Sequence, residues 1–538
     1  MKKGRYALYW DYLKRYSLAH KTLFSFMFLS LIFATVLQIP VPLLYKKIID
    51  DILPKKQVML LFKFGLLVLG IVFLREFFNY LSRIYARKLK NKMYFTLTKE
   101  LFEGFFHIPY RKIKTSNAGY FDSRIFEEPK NLEQALTESV VFTLKLVLIF
   151  IFGLVVCFHL SWRLTLAIFI FVPFYYLMNG LSSPYIRKIA VKREEIKARL
   201  REYAIGSLNA YKIVLAIRDG MRIINNSIQR HLNQFLGIRY KYDKASSLYN
   251  GLYEILSDGM PIVIFFFGIY EIIHGRLTIG GLVAFTELMQ YVNMPLQHFS
   301  DIIIEIETTV GIITRIEEFK GMMKKDRGQK SIDNVESIEL ENIGINFDGK
   351  KIIDNLSFTF QKGKGYIIKG DNGAGKSTLL DTILGFYLPD KGKIVINKQV
   401  DIKDIDKEHY RRRLSIAFFP PILLPLNKEN IELVKDEELL KIAKEIIKGK
   451  EDKMFSELSA GEKQKLNILV SLSKDADFYL FDEPFSNMDK NAVLTFKDLI
   501  LKRTIKRGKG LVMILHQDYN MADYNFDTLY LEKITQEV

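Results

Sequence analysis

The chain has 538 residues, of which 49% are hydrophobic and 41 are Phe, with a formal net charge of +18. That length exceeds one compact core and predicts two or three domains. Its single cysteine, Cys157, excludes an intrachain disulfide, a Cys-rich zinc site and a paired-Cys redox motif, and reads as packing inside an apolar run.

A basic surplus fits either a nucleic-acid-binding face or the cytoplasmic loops of a membrane protein. The second reading is preferred, and no nucleic-acid partner is expected. Apolar residues crowd into the first part of the chain, and no basic stretch alternates with aromatics in a single-strand-binding pattern.

In chain order, Lys2, Lys3, Arg5, Lys14, Arg15 and Lys21 precede the first apolar run. That run is too long for a signal peptide and ends in Gln38-Ile39-Pro40-Val41-Pro42, so it reads as a membrane helix whose start stays in the cytoplasm. Six stretches reach membrane length: about 22–45, 58–83, 136–159, 162–184, 251–273 and 277–300. The second holds Arg75 and Glu76, and the fifth Glu254 and Asp258. His159 to Arg163 form the short turn between the third and fourth. The connections after the second and fourth are long and polar.

The first long connection carries Arg83, Arg87, Lys88, Lys90, Lys92, Lys99, Arg111, Lys112 and Lys114, as a cytoplasmic loop should. Lys46, Lys47, Lys55 and Lys56, offset by Asp50 and Asp51, run against that orientation. Helical periodicity in these connections, as in 192–212, predicts two cytoplasmic hairpins. Their tips are expected near Gly119–Arg124 and Ser207–Tyr211. The expected division is a transmembrane domain over 1–320, a linker over 321–335 and a soluble α/β domain over 336–538.

In the soluble part, Gly370-Asp371-Asn372-Gly373-Ala374-Gly375-Lys376-Ser377 follows a strand-like run and opens a helix. Glycines at those positions let backbone N–H groups converge on phosphate, and the helix start adds its positive end. Lys376 is placed to reach the β- and γ-phosphates, and Ser377 to ligate Mg2+. Further on, Phe478–Glu483 reads as a buried strand delivering two acids, Asp482 to the metal and Glu483 to the attacking water. ATP and Mg2+ are the expected cofactors.

Leu458-Ser459-Ala460-Gly461-Glu462, lying between the phosphate loop and the acidic strand, resembles the LSGGQ signature of ABC transporters. Ser486–Asp489 and His516 sit where that family has its D-loop and switch histidine. The Ser161–Leu166 and Gly275–Gly281 segments are similar to those opening the fourth and sixth exporter helices. The resemblance implies an exporter-type membrane α-helical domain of six transmembrane helices fused to an α/β P-loop ATPase with a helical subdomain. It also implies a dimer, homodimeric by expectation and heterodimeric as the alternative. Ser459 and Gly461 of one chain would then contact ATP held by Gly370–Ser377 and Thr378 of the other. His516 would join Glu483 at the γ-phosphate. Phe347 would stack on adenine or else be an ordinary strand aromatic.

Two departures stand out. Phe419 occupies the place of the family's magnesium-contacting loop glutamine, and only about 80 residues separate Lys376 from Leu458, which implies a shortened helical subdomain. Together they resemble the cyclic-peptide and small-peptide exporter branch. Lys145, Glu254, Asp258 and Glu287 are ionisable residues in the spans, and Glu287, Gln290, Tyr291 and Gln297 form a polar stripe. That stripe either lines a translocation cavity or fixes helix packing. The expected function is ATP-driven export of a peptide or amphipathic small molecule across the cytoplasmic membrane. The alternatives are a lipid or lipid-linked flippase and a weakly hydrolysing half of a heterodimer.

Overall fold

A computed structural model describes residues 5–115, 118–323, 328, 330–347, 350–517, 519, 521 and 525–533. The chain divides into two compact units, Met1–Phe102 with Phe121–Phe319, and Glu103–Tyr120 with Lys320–Val538.

The first unit is helical. Its membrane-length elements are Lys21–Val36 continued by Pro40–Lys47, Val58–Phe105, Glu128–Leu160, Trp162–Phe169 continued by Val172–Asn209, Gly220–Ile273 and Ile279–Met322. Among the described residues, four stretches are long and apolar enough to cross a membrane: Lys21–Ile52, Val58–Phe105, Gly119–Leu160 and Gly220–Ile273. The apolar part of the fourth span is the shorter Trp162–Tyr175. Glu287, Gln290, Asn293 and Gln297 lower the hydropathy of the last helix.

Large apolar residues face outward along the membrane-length parts of these helices, as lipid requires. Val58, Met59, Phe62, Leu66, Leu69 and Phe73 stand exposed along one of them. At about 1.5 Å per residue the 48-residue Val58–Phe105 helix is about 70 Å long, roughly twice the hydrocarbon core. The surplus length forms an arm that runs on past the membrane-length part of the helix.

The second arm turns over 210–219, a few residues later than the expected Ser207–Tyr211, since its helix continues to Asn209. The first turns earlier than Gly119–Arg124. Its helix ends at Phe105, a short helix spans Tyr110–Thr115, and Ser123–Glu127 is already part of the returning helical path. Pro109 explains the shift, since the residue before a proline is driven out of helical conformation.

Helix contact in this unit depends on small residues. A Cβ on Gly153 would lie 2.8 Å from the Tyr291 Cβ. Cys157 is buried with Leu164, Ile168, Met260, Ile264 and Phe285, which fits a packing role. Glu271, 2% exposed, accepts from Arg163 and Arg276, each at 3.2 Å. One buried carboxylate thereby ties together the two turns singled out in the sequence.

The second unit holds two sheets. Ser337–Phe347 (β1), Lys350–Gln361 (β2), Lys391–Ile396 (β4) and Val400–Asp401 (β5) form an antiparallel sheet in the order β2-β1-β4-β5. Gly365–Gly370 (β3), Leu414–Ala417 (β6), Phe478–Asp482 (β7), Gly510–Ile514 (β8) and Phe526–Leu531 (β9) form a parallel sheet in the order β6-β7-β8-β3-β9. Successive strand residues point to opposite faces. Phe478, Leu480, Val512 and Ile514 enter one core with Leu379 and Leu380, while Tyr479, Phe481, Leu511 and Met513 enter another with Leu466 and Leu469. Both faces are covered, which is why these strands read as unbroken apolar runs.

Candidate active site

Strand β8 lies between β3 and β7, and its Ile514 is in register with both Ile368 and Asp482. The loop after β3, the acids ending β7 and the residues following β8 therefore leave the same edge of the sheet. That edge, at the carboxyl ends of parallel strands, is where such sheets bind ligands.

The loop owes its path to glycine. Gly370, Gly373 and Gly375 have φ of 150°, 84° and 90°, and a Cβ on Gly370 would lie 2.3 Å from the Leu531 carbonyl oxygen. The helix Lys376–Ile383 starts directly after it. Asp371, Asn372 and Gly373 are exposed, Ala374 is buried and Thr378 half-buried. Lys376 is buried along its stem, and its Nζ donates to the carbonyls of Gly370 at 2.7 Å and Asp371 at 3.0 Å. The ammonium is thus held inside the loop that would surround a phosphate chain.

Ser377 opens the helix after the loop, and Asp482 ends β7 at the same edge of the sheet. Burial pushes the Asp482 pKa up, with the nearby Ser377 hydroxyl and the charges of Lys376 and His516 opposing, while Glu483 adds to the rise. A hydroxyl and a carboxylate are hard oxygen ligands of the kind Mg2+ takes, so these residues fit the ion. Position 419 offers no side-chain oxygen. The preceding Phe418 carbonyl accepts from Asn467 at 2.9 Å.

Glu483 has a φ of 46°, rare for a residue with a side chain. Its Oε1 lies 2.6 Å from His516 Nε2, and its Oε2 accepts from Ser486 Oγ at 3.1 Å. The acid and the histidine, 33 positions apart in the chain, therefore form one pair.

Ser459 caps the helix Ala460–Ser473: its Oγ accepts from Glu462 N at 3.3 Å, and Glu462 accepts from Ser459 N at 2.9 Å. The Lys450 ammonium beside Glu462 holds that carboxyl below its usual range. Ser459 is exposed, and a Cβ on Gly461 would lie 3.0 Å from the Asn487 carbonyl oxygen. Among the described residues, the hydrogen bonds of Ser459 stay within its own turn and do not reach the phosphate loop of the same chain. The backbone of Phe347 ends β1, and its side chain lies outside the described residues.

Sequence reasoning passed over three features of this unit. Residues 103–120 pack within it: Arg111 pairs with Asp390 at 3.1 Å and donates to the Asn346 carbonyl, and Tyr110 lies against Phe386 and Tyr387. Gln464 is buried and bonds the backbone after Asp482. Asp381, between the buried Leu380 and Thr382 of the phosphate-loop helix, is pushed up to about 6 by burial, Lys114 opposing and Asp482 adding to the rise. An acid interrupting the run Leu379, Leu380, Ile383 was the available signal for Asp381.

Because the folded pKa of Asp381 exceeds its ordinary value of 3.8, the fold favours its neutral form. The associated stability is complete below about pH 4 and is lost as pH rises through about 6. Asp381→Asn should therefore raise the unfolding midpoint at pH 8 by an amount equivalent to about 1–3 kcal/mol and leave it unchanged near pH 4. Scanning calorimetry at the two pH values checks this; an equal shift at both would remove the electrostatic cause.

Family models match both parts of the chain. One for the ABC transporter transmembrane region covers residues 24–296, and one described as ABC transporter covers residues 353–486. An ATP-dependent lipid A-core flippase of Pseudoalteromonas translucida is 22% identical over 91% of this chain and 87% of its own length. The Lactococcin-A transport/processing ATP-binding protein of Lactococcus lactis is 22% identical over 77% of this chain and 60% of its own. The mitochondrial iron-sulfur clusters transporter of Candida glabrata is 29% identical over 48% of this chain and 39% of its own.

Proposed function

Since the chain belongs to the ABC transporter family, a multi-pass exporter whose ATPase is fused to its membrane region, we propose that it moves a peptide or amphipathic small molecule out across the cytoplasmic membrane as a dimer. The reading places the N-terminus and the ATPase unit in the cytoplasm. The observation that carries the cargo assignment is the outward face of the last membrane helix. Glu287 and Gln290 are exposed there, whereas Phe285, Leu288, Met289, Val292 and Asn293 are buried. An acid exposed at membrane depth belongs against a wet cavity or a partner, not against lipid. Gln297 is already engaged, donating to Ser257 Oγ at 2.5 Å, so the stripe narrows to Glu287, Gln290 and Tyr291.

In the proposed cycle, the loop Gly370–Ser377 with Thr378 holds the phosphates of ATP, and Lys376 turns from loop carbonyls to phosphate oxygens. Ser377 and Asp482 would hold Mg2+, which supplies charge neutralisation at the β- and γ-phosphates. Glu483 accepts a proton from, or orients, the attacking water. His516 fixes the Glu483 carboxylate and contacts the γ-phosphate. Ser459 and Gly461 of the second chain close the pocket, and Phe347 stacks on the adenine. ATP binding draws the two ATPase units together, hydrolysis separates them, and residues 103–120 pass the motion to the membrane helices.

The cargo assignment is tested by stimulation of ATPase activity in lipid nanodiscs. Cationic amphipathic peptides are expected to stimulate, and Glu287→Gln should raise the half-stimulating peptide concentration about tenfold, the cost of a lost charged hydrogen bond. Stimulation by a lipid-linked saccharide and not by peptides would favour the flippase reading, which the likeness to lipid A-core flippases supports.

A further inference from the structure

The helix that begins at the Ser459 turn does more than present that turn. Gln464, 0% exposed, lies five residues into it. Its Nε2 donates to the carbonyl of Glu483 at 3.2 Å and to that of Pro484 at 3.1 Å. Two acceptors facing the carboxamide fix which of its ends is nitrogen. Its Oε1 has no hydrogen-bond partner among the described residues. Filling buried space would ask only for an apolar side chain. What the carboxamide adds is its hold on two carbonyls.

Those carbonyls flank the strained residue of the site. A side-chain-bearing residue persists in the left-handed region only when its surroundings over-determine it. The Glu483 N–H donates to the Ile514 carbonyl at 3.2 Å, and its own carbonyl accepts from Gln464. Its backbone is thus pinned on both sides. One turn further along the same helical face, Asn467 holds the Phe418 carbonyl at the exit of β6. A single helix therefore clamps the ends of β6 and β7, and its first turn carries Ser459 and Gly461.

We propose that Gln464 is a positioning residue that sets the Glu483 backbone and makes that setting depend on the Ser459–Gly461 turn of the same helix. The inference rests on the proposed role of Glu483 and on the sharing of each ATP between two chains. Gln464 lies only about 7.5 Å along the helix axis from the Ser459 cap. When the partner's ATP seats against that cap and shifts the helix, Gln464 carries the Glu483 and Pro484 carbonyls with it. Occupancy of one pocket is thereby reported to the base of the other, and two pockets with no direct contact become cooperative.

The test is Gln464→Met in the full chain in nanodiscs, which keeps length and apolar fill but removes the donor. Expected are a kcat lowered about tenfold, as for the loss of one or two buried hydrogen bonds, a Hill coefficient for ATP reduced to 1, and ATP affinity within about twofold of wild type. The thermal midpoint should hold. Gln464→Asn, which retains the carboxamide, should recover part of the kcat; if the Met variant does not fold, the Asn variant takes its place with the same readouts, its kcat then falling between wild type and a tenth of it. An unchanged kcat and Hill coefficient would overturn the proposal, as would parallel losses of kcat, affinity and thermal midpoint, which mark a packing defect. Glu483→Gln measured alongside separates the two layers. If it is inactive while Gln464→Met is normal, only the positioning role fails; if it hydrolyses normally, the underlying assignment fails.

Discussion

Glu483→Gln is expected to lower ATP turnover by about 10²- to 10⁴-fold, the range for removing a group that takes or orients a proton in the transition state. The amide keeps the side chain's size and one oxygen, so the phosphate loop is untouched. ATP affinity should remain within a few-fold of wild type, and the variant should accumulate in an ATP-bound, paired state. Phosphate release and nucleotide retention by the purified chain in nanodiscs are the measurements. Hydrolysis at the wild-type rate would strip Glu483 of its role. The pairing with His516 at 2.6 Å makes His516→Ala the companion variant, with a loss in the same direction.

Lys376→Ala should reduce hydrolysis by about 10²- to 10³-fold, as removal of a preorganised cationic contact to a transferring phosphoryl group does. Unlike Glu483→Gln it should also weaken ATP binding. Its larger use is in mixed dimers with Ser459→Arg. If each pocket takes its loop from one chain and its Ser459 turn from the other, placing the two changes in opposite chains leaves one pocket intact and activity measurable. Placing both in one chain spoils both pockets. A pocket built within a single chain gives the reverse pattern. Two affinity tags and tandem purification isolate each pairing, and equal activity in the two arrangements would refute a shared pocket.

Much of this was legible in the sequence because the physics that writes it is local. Apolar runs of membrane length, a glycine loop between a strand and a helix, and two acids at the end of a buried strand need no tertiary information to be read. The order of the parallel sheet did need it. Nothing local says that β8 inserts between β3 and β7, and it is this insertion that brings His516 beside Glu483. Glu271 was equally silent, since an acid near a helix end looks solvated until Arg163 and Arg276 arrive from two turns. Gln464 sits in plain view within the signature helix, but its hold on carbonyls 19 and 20 positions later depends on how that helix lies over β7. The hairpin tip was misplaced because periodicity in Lys- and Arg-rich segments continues across a turn, and Pro109 was the one residue that marked it.

The insertion of residues 103–120 into the second unit has a bearing on how the protein is made. Synthesis places this short stretch some two hundred positions ahead of the strands that will receive it, so the ATPase unit is assembled from two separate stretches of the chain. A fragment cut at the start of β1 would reach solvent with the Phe386 and Tyr387 rings bared where Tyr110 belongs, and with Asp390 lacking Arg111. Such a fragment should express as a sticky species that clumps, and supplying a synthetic 103–120 peptide during refolding should keep it dispersed.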